Sequence, residues 1–475
     1  MSINQKNTLY LFVILCVFLL RYPYLDQLFL SEDENLYLII GRDLLDGAIP
    51  NVDNYSNKSP LLSFFYTIPS FFENVMFTTR IYTYFLILTS SFLLIKLLKK
   101  NQSYKEILFF ILIFVILINQ HQGKALIPQI LALPFILLIY IFCLNEKINH
   151  INIFFCGTCS AILFLIHPSG IFLAISIFTF LKFSQNIYFN LKIIIFFISG
   201  YLFPFILLTF FYLIKNNLEI FPLFESIFII PYKWSILLNE NQNIFFKTFY
   251  VNIITSRFLI LYIFIFVCLL INVTNITKTL NKKLIFLFLI TLLGVFLMKK
   301  NSIVYYIILI PGIILIISEC LAGYKNKLKF LYIVIFLSPA LIYQLNDFQN
   351  IYSKNLDKLI DNDIKKISKE IKKISVKNDE MLILDNHILY LILNKKIPSK
   401  FKYHTYFEDN DKAAKKRMVF NETSFINELE TLMINKKIKY LVVNKKKLKY
   451  LNKNKFDKYF ESKEIILDRT IFKIK

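Results

Sequence analysis

Three consecutive carboxylates, Glu32, Asp33 and Glu34, follow directly on the first membrane-length apolar run. Lys58 comes about two dozen residues later, in Asn57-Lys58-Ser59-Pro60-Leu61, after which apolar sequence resumes. Carboxylates at a bilayer surface are costly unless they are solvated, paired or used. A carboxylate can take a proton from a hydroxyl, and an ammonium can hold a developing anion. Acids and a lysine on one loop at the membrane edge therefore point to chemistry on a lipid-borne anionic group. The plainer alternative is a solvated, well-capped helix start.

The local pattern says which element must carry these groups. Ser31-x-x-Glu34 reads as a capping box, with Ser31 as N-cap and Glu34 as its partner. Leu36, Ile40 and Leu44 recur at helical spacing with Tyr37 beside them, and Asp46-Gly47 reads as a stop. An amphipathic helix over about residues 32–46, lying on the outer membrane surface, is expected. Glu32 and Asp33 fall in its first turn, where the helix dipole keeps a carboxylate ionised and able to accept a proton.

The scaffold around this loop is a membrane one. Of the 475 residues 56% are hydrophobic, including 51 Phe, which is not the composition of a soluble domain. Apolar runs predict about eleven spanning helices, near 8–29, 79–98, 106–120, 126–144, 151–167, 170–185, 192–214, 257–275, 284–299, 303–321 and 329–345. The first is read as an uncleaved helix rather than a signal peptide. The run Pro60–Phe72 is too short to span and is read as re-entrant or interfacial. Short basic loops at Lys96–Lys105, Lys147, Lys182–Lys192, Lys278–Lys283 and Lys325–Lys329 place the N-terminus in the cytoplasm. Two long loops, 30–78 and 215–256, then lie outside, where long loops often carry function.

The formal charge of +23 does not imply nucleic acid here, because much of the excess is lysine in short inner loops. The six cysteines all lie in or at the ends of apolar runs, and Cys156-Gly-Thr-Cys159 lacks a redox-domain context. Residues 346–475 form a different polymer, rich in Lys, Asn, Asp and Glu. Met381–Asp385 and Lys439–Asn444 read as buried strands, Glu464–Leu467 and Thr470–Lys473 as a final pair. Glu422–Ile434 and His387–Leu393 read as helices. The expected architecture is a polytopic α-helical membrane domain, 1–345, with a small extramembrane C-terminal α/β domain, 346–475. An odd number of spans puts that domain outside.

Asp33-Glu34-x-x-Tyr37, Gly47-x-x-Pro50 and Lys58-Ser59-Pro60-Leu61, in this order, resemble the first outer loop of the GT-C superfamily of glycosyltransferases. The look is that of the family-39-like bacterial enzymes, of the lipid A aminoarabinose transferase and protein O-mannosyltransferase type. Ser59 stands where that family usually has a proline. Arg80, Tyr305-Tyr306 with Pro311, and the outer C-terminal domain also suit the family. The resemblance implies an inverting transfer of a sugar from a polyprenyl-phosphate donor to an unidentified hydroxyl acceptor, at the outer face of the bacterial inner membrane. It implies Asp33 as base, assisted or oriented by Glu34, and Lys58 on the phosphate.

Arg257, Lys299, Lys300 and Tyr305 lie at the outer ends of late helices and could ring the same donor phosphate, or simply snorkel to the interface. Tyr232, Lys233 and Trp234 could form a lid or part of an aromatic belt, and His167 could bind phosphate or merely end a helix. No cofactor is expected and no metal, since Asp33 and Glu34 have no neighbouring His or third fixed ligand. Distant loops could supply one, and related oligosaccharyltransferases use a divalent ion. Three rival readings are a transporter or flippase for lipid-linked saccharides, a polymerase or ligase, and an inert scaffold. A transporter would place charged or broken-helix sites at midplane in internal repeats, and no clear repeat is present. A polymerase or ligase would give a first-loop carboxylate no special place.

Overall fold

A computed structural model describes residues 3–28, 30–56, 58–98, 102–120, 123–145, 149–181, 187–216, 218–233, 282–297, 303–322, 356–376, 379–384, 387–399, 402, 425–444, 456–467 and 469–475, with scattered positions between 342 and 349. Expected spans 257–275 and 329–345 lie wholly or mostly outside the described residues, as do Trp234, Arg257, Lys299 and Lys300.

In chain order the first elements are α1 (Ile3–Arg21), α2 (Glu32–Leu45), α3 (Pro60–Ser70), α4 (Val75–Leu98), α5 (Tyr104–Gln120), α6 (Pro128–Leu144), α7 (His150–Ile166), α8 (Phe178–Leu181), α9 (Ile187–Lys215) and α10 (Phe221–Phe224). After them come α11 (Lys282–Leu297), α12 (Ile310–Ala322), α13 (Leu356–Ile374), β1 (Met381–Ile383), α14 (His387–Leu393), α15 (Phe425–Ile434), β2 (Tyr440–Asn444), β3 (Phe460–Ile466) and β4 (Arg469–Ile474). The chain divides into two compact units: residues 1–26, 80–208 and 242–352, and residues 27–79, 209–241 and 353–475.

The first unit is a bundle of apolar helices. Among the described residues, three helical stretches are long and apolar enough to cross a membrane: Asn7–Tyr24, Val75–Leu98 and Asn190–Lys215. Shorter apolar helices accompany them. Where α7 and α9 cross, Gly157 faces the carbonyl of Phe197, and Gly200 that of Phe154. Neither site has room for a Cβ, so backbone meets backbone, the small-residue mode of membrane helix packing. At the end of α1, Arg21 donates to Asn119 Oδ1 at 2.9 Å and to the carbonyls of Gly123 and Lys124 at 2.5 and 2.7 Å. The expected straight span over 170–185 takes another form. Pro168–Ile177 is a 3-10 helix that passes into the four-residue α8. It folds back on α7, where Ser160 Oγ donates to the carbonyl of Leu173 at 3.3 Å.

The second unit joins the first long loop, the end of α9 and the C-terminal tail. Its sheet has the order β1-β2-β4-β3, with β1 and β2 parallel and the other pairs antiparallel. The parallel pair needs a crossover, which α14 and α15 occupy. Central β2 is apolar and buried at Leu441, Val442 and Val443, whereas outer β3 exposes Glu461, Lys463 and Glu464. The longest helix among the described residues of the tail, α13, buries Ile364, Ile367 and Ile371 at helical spacing. That helix was absent from the expected elements, because its lysines and acids mask a narrow apolar stripe.

Candidate active site

The loop that carries the expected chemistry is two helices held at close range. At Gly41 of α2, a Cβ would lie 2.6 Å from the backbone carbon and oxygen of Tyr66 in α3. Only glycine permits that approach. Tyr37 and Tyr66 rings lie 5.1 Å apart, and Ser70 Oγ donates to the carbonyl of Leu38 at 2.9 Å. Ser59 caps α3, its hydroxyl accepting from the Leu61 amide at 3.3 Å, with Pro60 in the first turn. Eleven residues give α3 a length of about 16 Å, roughly half the hydrocarbon thickness. Phe211 packs edge-on to Phe64 at 4.9 Å, and the Tyr212 hydroxyl donates to the carbonyl of Pro50 at 2.6 Å, so the end of α9 braces the loop.

Two expectations about α2 are corrected. Ser31 stands at the N-cap in extended backbone, but its side chain makes no capping bond, so the Ser31–Glu34 box does not form. Nor does α2 keep a water-facing side from Glu34 to Asp43, because every residue of that stretch is buried in the protein. One side meets α3. The side bearing Glu32, Arg42, Asp43 and Asp46 meets α14 and the chain after it. On that side Glu32, Asp43 and Asp46 each face a basic side chain.

The carboxylates sort by exposure. Asp33 is exposed and Glu34 is fully buried. Helical spacing puts Glu34 on the side that carries Tyr37, Leu38 and Gly41. Lys58 is half-buried, with Nζ 5.9 Å from the centroid of the Tyr37 ring. Burial pulls the Lys58 ammonium below its ordinary range, and the Asp33 carboxylate opposes that pull. The Asp33 carboxylate therefore acts on the Lys58 ammonium, and Tyr37 gives that ammonium an aromatic face. An exposed base beside a partly desolvated cation can accept a proton while an anion forms nearby.

In the first unit, Tyr305 is half-buried, with its ring 5.1 Å from that of buried His167. Arg80 is buried in α4, with 1% exposure. Sequence reasoning missed three groups on the other flank of α2: Glu32 as a paired rather than solvated acid, His387 and Lys402. Residues more than 350 positions apart leave no spacing signal, so nothing in the sequence linked them.

No family model matches the sequence, and no curated protein matches it significantly. Solved structures do. The crystal structure of ArnT from Cupriavidus metallidurans in the apo state aligns with a TM-score of 0.57 at 11% identity, over 98% of both chains. ArnT from the same organism bound to undecaprenyl phosphate aligns with a TM-score of 0.56 at 12% identity, over 99% of this chain and 98% of that one. The chain shares the fold of these ArnT structures. The likeness to ArnT runs through the tail as well as the helical bundle, since almost the whole of each chain is covered.

Proposed function

We propose that the protein is an integral-membrane glycosyltransferase that moves a sugar from a polyprenyl-phosphate carrier to a hydroxyl acceptor. The observation that carries the proposal is the placement of exposed Asp33 on the first turn of α2 and of Lys58 against the Tyr37 ring on the same loop. It is supported by the likeness to a fold of which one example, ArnT, is bound to undecaprenyl phosphate.

In this reading the carrier linkage supplies the activation, and no cofactor is invoked. The acceptor oxygen attacks the anomeric carbon from the face opposite the phosphate. Its proton passes to Asp33, the new carbon–oxygen bond forms, and the bond to the phosphate oxygen breaks with inversion. The electron pair leaves on the phosphate, whose growing charge Lys58 holds as a point charge. Glu34, buried one residue along, orients the turn. The multi-pass chain is assigned to the bacterial inner membrane, with its N-terminus cytoplasmic and its tail periplasmic.

The test is turnover of undecaprenyl-phosphate sugars by the protein in membranes, with surface glycolipid mass analysis to identify the acceptor. Asp33→Asn is expected to lower turnover by about 10²–10⁴-fold while undecaprenyl phosphate still binds. Full turnover in that variant would remove Asp33 from the mechanism.

A further inference from the structure

His387 opens α14 and is 2% exposed, yet both of its ring nitrogens face oxygen. Nε2 lies 2.6 Å from the backbone carbonyl of Lys402, and Nδ1 lies 3.1 Å from Oε2 of Glu32. A carbonyl only accepts, so Nε2 carries a hydrogen. The contact at Nδ1 needs a second hydrogen, held by the ring or by the carboxyl. One shared proton thus ties the C-terminal domain to the first turn of α2.

The other end of α2 is tied as well. Asp43 meets Lys402 Nζ at 3.1 Å, with both side chains buried, and Asp46 meets Lys396 at 2.9 Å nearer the surface. Arg42 donates to Asn394 Oδ1 at 3.2 Å, to the carbonyl of Tyr390 and to that of Lys395. Those groups close the C-terminal end of α14, where a guanidinium suits the helix dipole. Lys402 serves twice, its carbonyl receiving His387 and its ammonium receiving Asp43.

From these contacts we infer that the C-terminal domain is a clamp on the catalytic helix, with His387 and Lys402 as positioning residues for Asp33. Asp33 follows Glu32 directly, so any movement of the first turn that Glu32 resists would carry Asp33 with it. The inference rests on the proposed role of Asp33 only for its effect on turnover. The clamp itself can be read without any reaction.

The experiment uses the full chain in lipid nanodiscs, comparing wild type with His387→Ala, Glu32→Ala and Glu32→Gln. Glutamine at position 32 can donate to a neutral Nδ1, so it keeps both ring contacts without the extra proton. His387→Ala and Glu32→Ala are expected to speed amide exchange over residues 35–38 about tenfold. They should also lower kcat about tenfold while KM for the undecaprenyl-phosphate sugar stays within about threefold. Glu32→Gln is expected to restore both to within about threefold of wild type. Amides of β2 report whether the tail stays folded. If they lose protection in His387→Ala, Glu32→Ala, which alters no tail residue, decides. Unchanged exchange over 35–38 in Glu32→Ala, or a Glu32→Gln variant as defective as Glu32→Ala, would overturn the clamp. A wild-type protein that turns over no polyprenyl-phosphate sugar would instead count against the proposed function, leaving the exchange result to decide the clamp.

Discussion

At the scale of single residues, the proposed chemistry turns on Asp33 acting on the charge of Lys58. A lysine whose pKa is lowered in the folded protein gives up its proton at a lower pH than a free one. Asp33 works against that lowering, so Asp33→Asn removes the support and lets Lys58 deprotonate sooner. Only the ammonium attracts phosphate. The alkaline midpoint for undecaprenyl phosphate binding is therefore expected to move to lower pH in Asp33→Asn, as measured by Kd across a pH series. An unmoved midpoint would show that the two charges are independent. These two residues stand out in the sequence because their spacing along one loop is short. Glu32 was misread, since a carboxylate in a first helical turn looks the same whether water or a buried imidazole answers it.

The paired helices α2 and α3 depend on one missing atom. Gly41→Ala would press a methyl group against the Tyr66 backbone, which cannot give way as a flexible side chain would. Overpacking of this kind is expected to cost about 1–3 kcal/mol, read as a lower thermal midpoint for the purified protein. On the opposite flank, burial pushes the Asp43 carboxyl up, while Lys402 and Arg42 pull it back. Lys402→Met would strand that carboxylate, a change worth about 3 kcal/mol when a buried pair is broken. An acid with a raised folded pKa binds more protons folded than unfolded, so it favours the folded state less as pH rises. The Lys402→Met deficit should accordingly shrink in acid and grow toward neutral pH, as seen in denaturation midpoints at several pH values. Periodicity foretold the strands of the tail and the brevity of α3. It could not foretell the 3-10 geometry of Pro168–Ile177, because an apolar run has the same composition in either helix.

For the molecule as a whole, the sequence suggested a boundary near residue 345, with helices before it and a tail after it. The compact units follow another division, in which loop 27–79 and segment 209–241 belong with the tail. Such a unit has no meaning along the chain, since it is assembled from three separated stretches. Removal of residues 353–475 would bare Arg42, Asp43 and the rest of one flank of α2. The truncated chain is expected to lose its monodisperse peak on size-exclusion chromatography in detergent, while the full chain keeps it. Among the described residues of the tail, β3 is an outer strand that exposes Glu461, Lys463 and Glu464, with Glu461 paired across to Lys473 at 3.0 Å. Proteins confined to a bilayer meet their own copies at high local density, and a bare strand there would be an invitation to polymerise. Fixed charge at Glu461, Lys463 and Glu464 works against strand addition by a neighbouring copy, so crowding need not end in fibres.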